Sequence, residues 1–217
     1  MLSGQISSLT LPVGQMSANC HILYDERSHE GVIIDPGDDA DFIIRKITDL
    51  EIKPLSILAT HGHFDHVMAV NEIKIAYKIP FLIHQSDLPI LRSMRESAKY
   101  FLGIDPGPTP IPDDYLKNNS KLDIGHFSLK VIGVPGHTPG SVALYSSKVA
   151  KIFVGDLVFA GGGVGRTDHK YSDEKKLIKS IKKILRMPEG IEVYPGHGRE
   201  TTIAELAISL TDYIGTT

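Results

Sequence analysis

The sequence predicts an α/β (α+β) chain folded as a four-layer αββα sandwich, two sheets face to face with helices outside. Three observations carry this. Short apolar runs closed by Gly or Pro recur along both halves. Each half also holds amphipathic helical stripes, most plainly at 39–50 and 173–186. No linker or low-complexity segment divides the chain, so residues 1–217 read as a single domain.

Residues 5–12 and 20–35 read as strands joined by a turn through Gly14, with Pro36-Gly37 as the stop. Ala40, Ile43, Ile44, Ile47 and Leu50 form the first helical stripe. A strand at 56–59 precedes a ligand-rich turn and a helix-like stretch at 67–77, followed by a strand at 79–84. Residues 86–102 read as a helix with Pro89 in its first turn. The segment 103–112, with four prolines and two glycines, is a loop that either overhangs a site or merely connects. Strands follow at 129–134, 142–145, 151–154 and 191–194, with the 173–186 helix before the last of them. Thr202-Ile203-Ala204-Glu205 opens a final helix with a capping-box pattern.

Composition narrows the function. A net charge of -3 gives no electrostatic case for nucleic acid, and the lysines from Lys175 to Lys183 are spaced like a solvated helix face. One cysteine, Cys20, excludes an intrachain disulfide. The N-terminal residues lack a signal-peptide pattern and no apolar run reaches the ~20 residues of a membrane span, so a cytoplasmic location is expected. Oligomeric state is not legible.

The chemistry is concentrated in Thr60-His61-Gly62-His63-Phe64-Asp65-His66, three histidines and an aspartate in seven positions. On a helix His61 and His63 would point to nearly opposite sides, whereas on a turn after a strand they can meet one ion. Asp65 stands where a helix begins, so it could also cap free N–H groups. The strand, small-residue turn and ligand arrangement recurs at His137, Asp156 and His197. If the strands run side by side, these groups converge on one rim. Seven ligand-type groups exceed what one tetrahedral ion takes, and two ions sharing a bridging carboxylate, Asp156, fit better. His21, His29, His84, His126 and His169 lack such turns and read as bystanders. Asp35, ending a strand, either orients a ligand histidine or starts the turn.

The motif set His61-Gly62-His63-Phe64-Asp65-His66, Gly136-His137-Thr138-Pro139-Gly140-Ser141, Gly155-Asp156 and Gly196-His197-Gly198 resembles the metallo-β-lactamase superfamily. Gly165-Arg166-Thr167-Asp168 and the ending from Gly196 to Ile203 make it most similar to short glyoxalase II-like (hydroxyacylglutathione hydrolase-like) enzymes. The resemblance implies the metallo-β-lactamase fold, with His61, His63 and His137 on one metal. It also implies Asp65, His66 and His197 on a second, with Asp156 between them. The expected cofactors are two divalent ions, zinc first, with iron or manganese as the other candidates. Only about 20 residues follow His197, so the helical domain with which full-length glyoxalase II grips glutathione is expected to be missing.

Such a pair of ions acidifies a bridging water, with Asp65 and Asp156 as the catalytic carboxylates. A thiol, with a pKa near ~8.5, leaves without a dedicated acid, which favours a small-molecule thioester as substrate. Arg166 is the candidate partner for a substrate carboxylate. The rival readings are a mononuclear-iron persulfide dioxygenase, whose family shares the Gly-Arg-Thr-Asp stretch, and a lactonase. Zinc β-lactamases of the usual kind place Cys where Asp156 stands.

Overall fold

The computed structural model describes residues 5–215. Its first sheet is laid down in chain order: β1 (Ile6–Val13), β2 (Ala18–Asp25), β3 (Glu30–Ile34), β4 (Lys53–Leu58), β5 (Phe81–His84) and β6 (Asp114–Leu116). β1 to β3 pair antiparallel, and β3 to β6 pair parallel. Helices α1 (Ala40–Asp49) and α2 (Val70–Tyr77), then α3 (Leu88–Arg92) with α4 (Met94–Leu102), make the parallel crossovers.

The second sheet holds β7 (Lys121–Ile124), β8 (Phe127–Gly133), β9 (Val142–Ser146), β10 (Lys151–Gly155), β11 (Glu192–Pro195) and β12 (Thr201–Thr202), again adjacent in chain order. Its one parallel pair, β10 with β11, is bridged by α5 (Glu174–Ile184), and α6 (Ile203–Ser209) and α7 (Thr211–Gly215) close the chain.

Period-two alternation builds the layers. On β3, Val32 and Ile34 point between the sheets, where they meet Leu129, Val131 and Phe153, while Ile33 points to α1 and α2. Three apolar clusters result: helices on sheet one, sheet on sheet, and sheet two on α5 and α6. The four-layer sandwich expected from the sequence is therefore the observed one. On α5 the buried face is Leu177, Ile178, Ile181 and Ile184, and Lys182 and Lys183 sit in the last turn, where they suit the helix dipole.

Local chemistry explains the departures. The 20–35 stretch is two strands, because the Asp25 carboxylate accepts from Arg27 N (2.8 Å) and Ser28 N (3.1 Å) and turns the chain. The 86–102 helix breaks at Ser93, whose hydroxyl donates to Ile90 O at 2.8 Å. β6 and β7 are short and largely polar, too weak a pattern to read. At α6, Thr202 caps Glu205 N at 3.1 Å, but the Glu205 carboxylate accepts from Thr201 Oγ1 (2.6 Å) and leaves the box open.

The proline-rich segment 103–112 does not overhang the site. Asn71 and Lys74 of α2 donate to its Pro108 and Ile111 carbonyls at 2.7 and 2.9 Å, so it is a surface connection pinned to α2. No helix among the described residues is long and apolar enough to cross a membrane.

Candidate metal centre

β4, β8, β10 and β11 all end at the same rim, and each hands the chain to one of the four ligand-bearing turns. His61 and His66 are fully buried, while His63 and His197 are partly open. His61 Nε2 lies 3.1 Å from His63 Nδ1, and His137 Nε2 lies 2.9 Å from that same nitrogen. Beside this trio, Asp65 Oδ2 is 3.3 Å from His197 Nε2 and 3.7 Å from His66 Nε2. Asp156 stands between the two groups. Its Oδ2 is 3.7 Å from both His137 Nε2 and His197 Nε2, and its Oδ1 is 3.5 Å from His66 Nε2. All seven predicted side chains are thus in one cluster.

The outward-facing nitrogens decide what the inward ones offer. Arg166 O can only accept, so His137 Nδ1 donates to it (2.9 Å) and its Nε2 keeps a lone pair. His66 Nδ1 donates to the Asp35 carboxylate at 3.2 Å, which leaves Nε2 facing Asp65 and Asp156. Thr60 Oγ1 gives its proton to Asp35 (2.6 Å) and so accepts from His61 Nδ1 (3.1 Å). His63 Nε2 meets the Tyr171 hydroxyl at 2.7 Å. At most one proton fits among the three nitrogens of His61, His63 and His137, which leaves lone pairs facing each other. Buried His66 Nε2 and Asp156 Oδ1 have no hydrogen-bond partner at all. A divalent cation resolves both problems, and the donor set, imidazole with carboxylate, suits zinc and its neighbours.

Electrostatics agree. Burial works against a charge on His66, yet Asp156, Asp65 and Asp35 outweigh it and raise the ring to about 10, so this pocket favours positive charge, whether a proton on the ring or a metal ion in its place. Burial would likewise raise Asp65, but His66 and His197 pull it well below the usual carboxylate range. His61 and His63 behave oppositely: burial first, then neighbouring imidazoles, drive them well below 6.5. One side of the cluster is three imidazoles, and the other sets the carboxylates of Asp65 and Asp156 against His66 and His197.

Asp35 is the orienting carboxylate of the two readings given for it. It accepts from Thr60 N at 2.6 Å as well as from Thr60 Oγ1 and His66, and its own backbone is left-handed at φ 52°. Asp65 is not a helix cap; its carboxylate faces His66 and His197. Gly62 does not need a left-handed backbone but needs room, since a Cβ there would lie 3.0 Å from Asp87 O. Gly196 is required more strictly, because any side chain would overlap Asp156 Oδ1.

Sequence reasoning missed Asp87 and Tyr171. Asp87 is fully buried and accepts from Gly62 N (2.9 Å), Thr138 Oγ1 (2.7 Å) and Gly140 N (2.6 Å), tying the first ligand turn to the His137 turn. Tyr171 and His169, the latter read as a bystander, stack at 5.2 Å beside His63 and line the cavity over the cluster. Only an aromatic three residues after the Gly-Arg-Thr-Asp stretch could have hinted at this. His21 is structural: Thr10 Oγ1 (3.0 Å) and Pro195 O (3.1 Å) hold it, and burial lowers it to about 4. The Arg166 guanidinium lines the cavity mouth but is exposed and paired twice with Asp168, at 3.0 and 2.6 Å.

Tyr171→Phe is expected to weaken metal binding about tenfold, the loss typical of removing a ligand's supporting partner. Competition with a chromophoric chelator measures it. Unchanged affinity would mean that Tyr171 does not orient His63.

The profile of the metallo-β-lactamase superfamily matches residues 13–197. The chain is similar to the hydroxyacylglutathione hydrolase GloC of Haemophilus influenzae, at 32% identity over 198 residues, 90% of this chain and 92% of that one. Two solved structures superpose on it at 35% identity. The B3 metallo-β-lactamase BLEG-1 does so with a TM-score of 0.88 over 96% of this chain and 99% of that one. The di-iron-bound form of TTHA1623 does so at 0.84, over 92% and 96%. With its fold, its rim of histidines and aspartates and these likenesses together, the chain belongs to the metallo-β-lactamase superfamily.

Proposed function

We propose that this protein is a binuclear hydrolase that cleaves a small-molecule thioester. Family membership and the hydrolase relative support metal-dependent hydrolysis in general. The observation that carries the finer reading is the position of Asp156, whose two oxygens face both the His61/His63/His137 trio and the Asp65/His66/His197 trio. In this reading the first trio holds one ion, the second trio holds another, and Asp156 lies between. Divalent ions bound there would acidify water and polarise an acyl carbonyl.

The protein's own residues do the rest. Asp35 and Arg166 O fix the tautomers of His66 and His137 by accepting from their outer N–H groups, so neither ring can turn away. Asp65, buried and 3.3 Å from His197 Nε2, is the carboxylate placed to take a proton from attacking water and return it later. The cavity above the cluster, about 370 Å³, is of small-molecule size. Its wall carries no carboxyl besides Asp65 and Asp156, which fits a leaving group that departs as thiolate.

The GloC relative makes a glutathione thioester the first substrate to assay. Elemental analysis with a thioester panel tests the reading: two ions per chain and thioester turnover are expected. One iron per chain, with oxygen uptake on glutathione persulfide, would replace it with the dioxygenase reading. Metal should also stabilise the fold. At a free concentration about 100 times its Kd, zinc adds roughly 2.7 kcal/mol, which calorimetry reads as a rise of about 5–10 °C in Tm. An unchanged Tm would count against a preformed site.

A further inference from the structure

The cavity over the cluster has two unlike ends. Around His63 and His137 it is polar: Tyr171, His169 and Arg166 all come from one loop, and Arg166 O accepts from His137. Around Asp65 and His197 it is apolar. Phe64 precedes Asp65, Phe159 lies 6.1 Å from the His197 ring, and Met16 reaches in from the β1–β2 turn. Phe101 stacks on Phe64 at 5.7 Å with only 7° between the planes, which makes a rigid aromatic shelf. Met16 and Phe101 nonetheless keep 44% and 52% of their surface exposed at the mouth. Apolar surface left open beside a reactive cluster signals something apolar that covers it during work.

From this division we infer that the enzyme's preferred acyl group is an unsubstituted hydrocarbon chain laid on Met16, Phe64, Phe101 and Phe159, with the polar thiol portion toward Arg166, His169 and Tyr171. This rests on the hydrolase reading above and adds the substrate class. A hydroxylated acyl group would find Ser97 as the sole hydroxyl on that shelf. The scissile carbonyl falls between the two ends, over the cluster itself.

The test uses zinc-loaded protein and thioesters of N-acetylcysteamine with acyl chains from acetyl to hexanoyl, plus 2-hydroxypropanoyl. The value of kcat/KM should rise about threefold per methylene, a little under full burial of each CH₂ group. The 2-hydroxypropanoyl ester should fall below propanoyl. Phe101→Ala, truncating a half-exposed ring, should cut the hexanoyl-to-acetyl ratio about tenfold. A flat series, or a hydroxyacyl ester better than its parent, overturns the inference. If no thioester is cleaved, the thioester reading fails by itself, and calorimetric binding of acetate through hexanoate still decides the shelf. Tighter binding with length sustains it, and equal binding removes it. Turnover of alkyl lactones with the same length dependence would keep the shelf and reassign the bond cleaved.

Discussion

His63→Ala is expected to empty the histidine trio and lower turnover by well over the roughly 100-fold that loss of a supporting residue costs a metal site. His63 Nδ1 is the hub of the trio, facing His61 and His137 at 3.1 and 2.9 Å. Without it two nitrogens and a share of the Asp156 carboxylate remain, short of the three undivided protein ligands usual at a catalytic zinc site. His63 is only partly buried and makes no backbone hydrogen bond through its ring, so the fold should survive. Elemental analysis beside steady-state kinetics reads the outcome: fewer ions per chain with an unchanged circular dichroism spectrum. Full activity in the variant would remove the ligand assignment.

Asp87→Ala should have the largest effect on stability, about 3–5 kcal/mol by denaturant titration. Burial raises the carboxyl, and the hydrogen bonds from Thr138, Gly140 and Gly62 partly counter it. Removing it strands two buried backbone N–H groups, those of Gly62 and Gly140, while Thr138 keeps Ser141 Oγ at 2.7 Å. Because Asp87 follows β5 of the first sheet and Gly140 precedes β9 of the second, the damage spans both halves of the sandwich. A loss under about 1 kcal/mol would show that water replaces the carboxylate at little cost.

The layers and the seven clustered side chains were legible because they depend on local patterns: alternation on β3, helical spacing on α5, and small-residue turns after β4, β8, β10 and β11. What escaped depends on approach between segments distant in sequence. Nothing near Asp87 announces that its acceptors serve turns 25 and 53 residues away. Tyr171 likewise meets His63 across 108 residues. The left-handed residues are also hard to foresee where they are not glycine, and His29 and Asp35 are both of that kind. Asp65 offered two local readings, a cap and a ligand-type group, and its carboxylate lies with His66 and His197 in the cluster.

Asp35 carries a further consequence. A non-glycine backbone held at φ 52° costs on the order of 1 kcal/mol, and glycine would relieve it. Glycine would also release Thr60 and His66 together, and through Thr60 the ring of His61. Robustness and activity therefore pull in opposite directions at this one position, so a search for heat-tolerant variants that ignored turnover would drift toward relaxed, inactive proteins here.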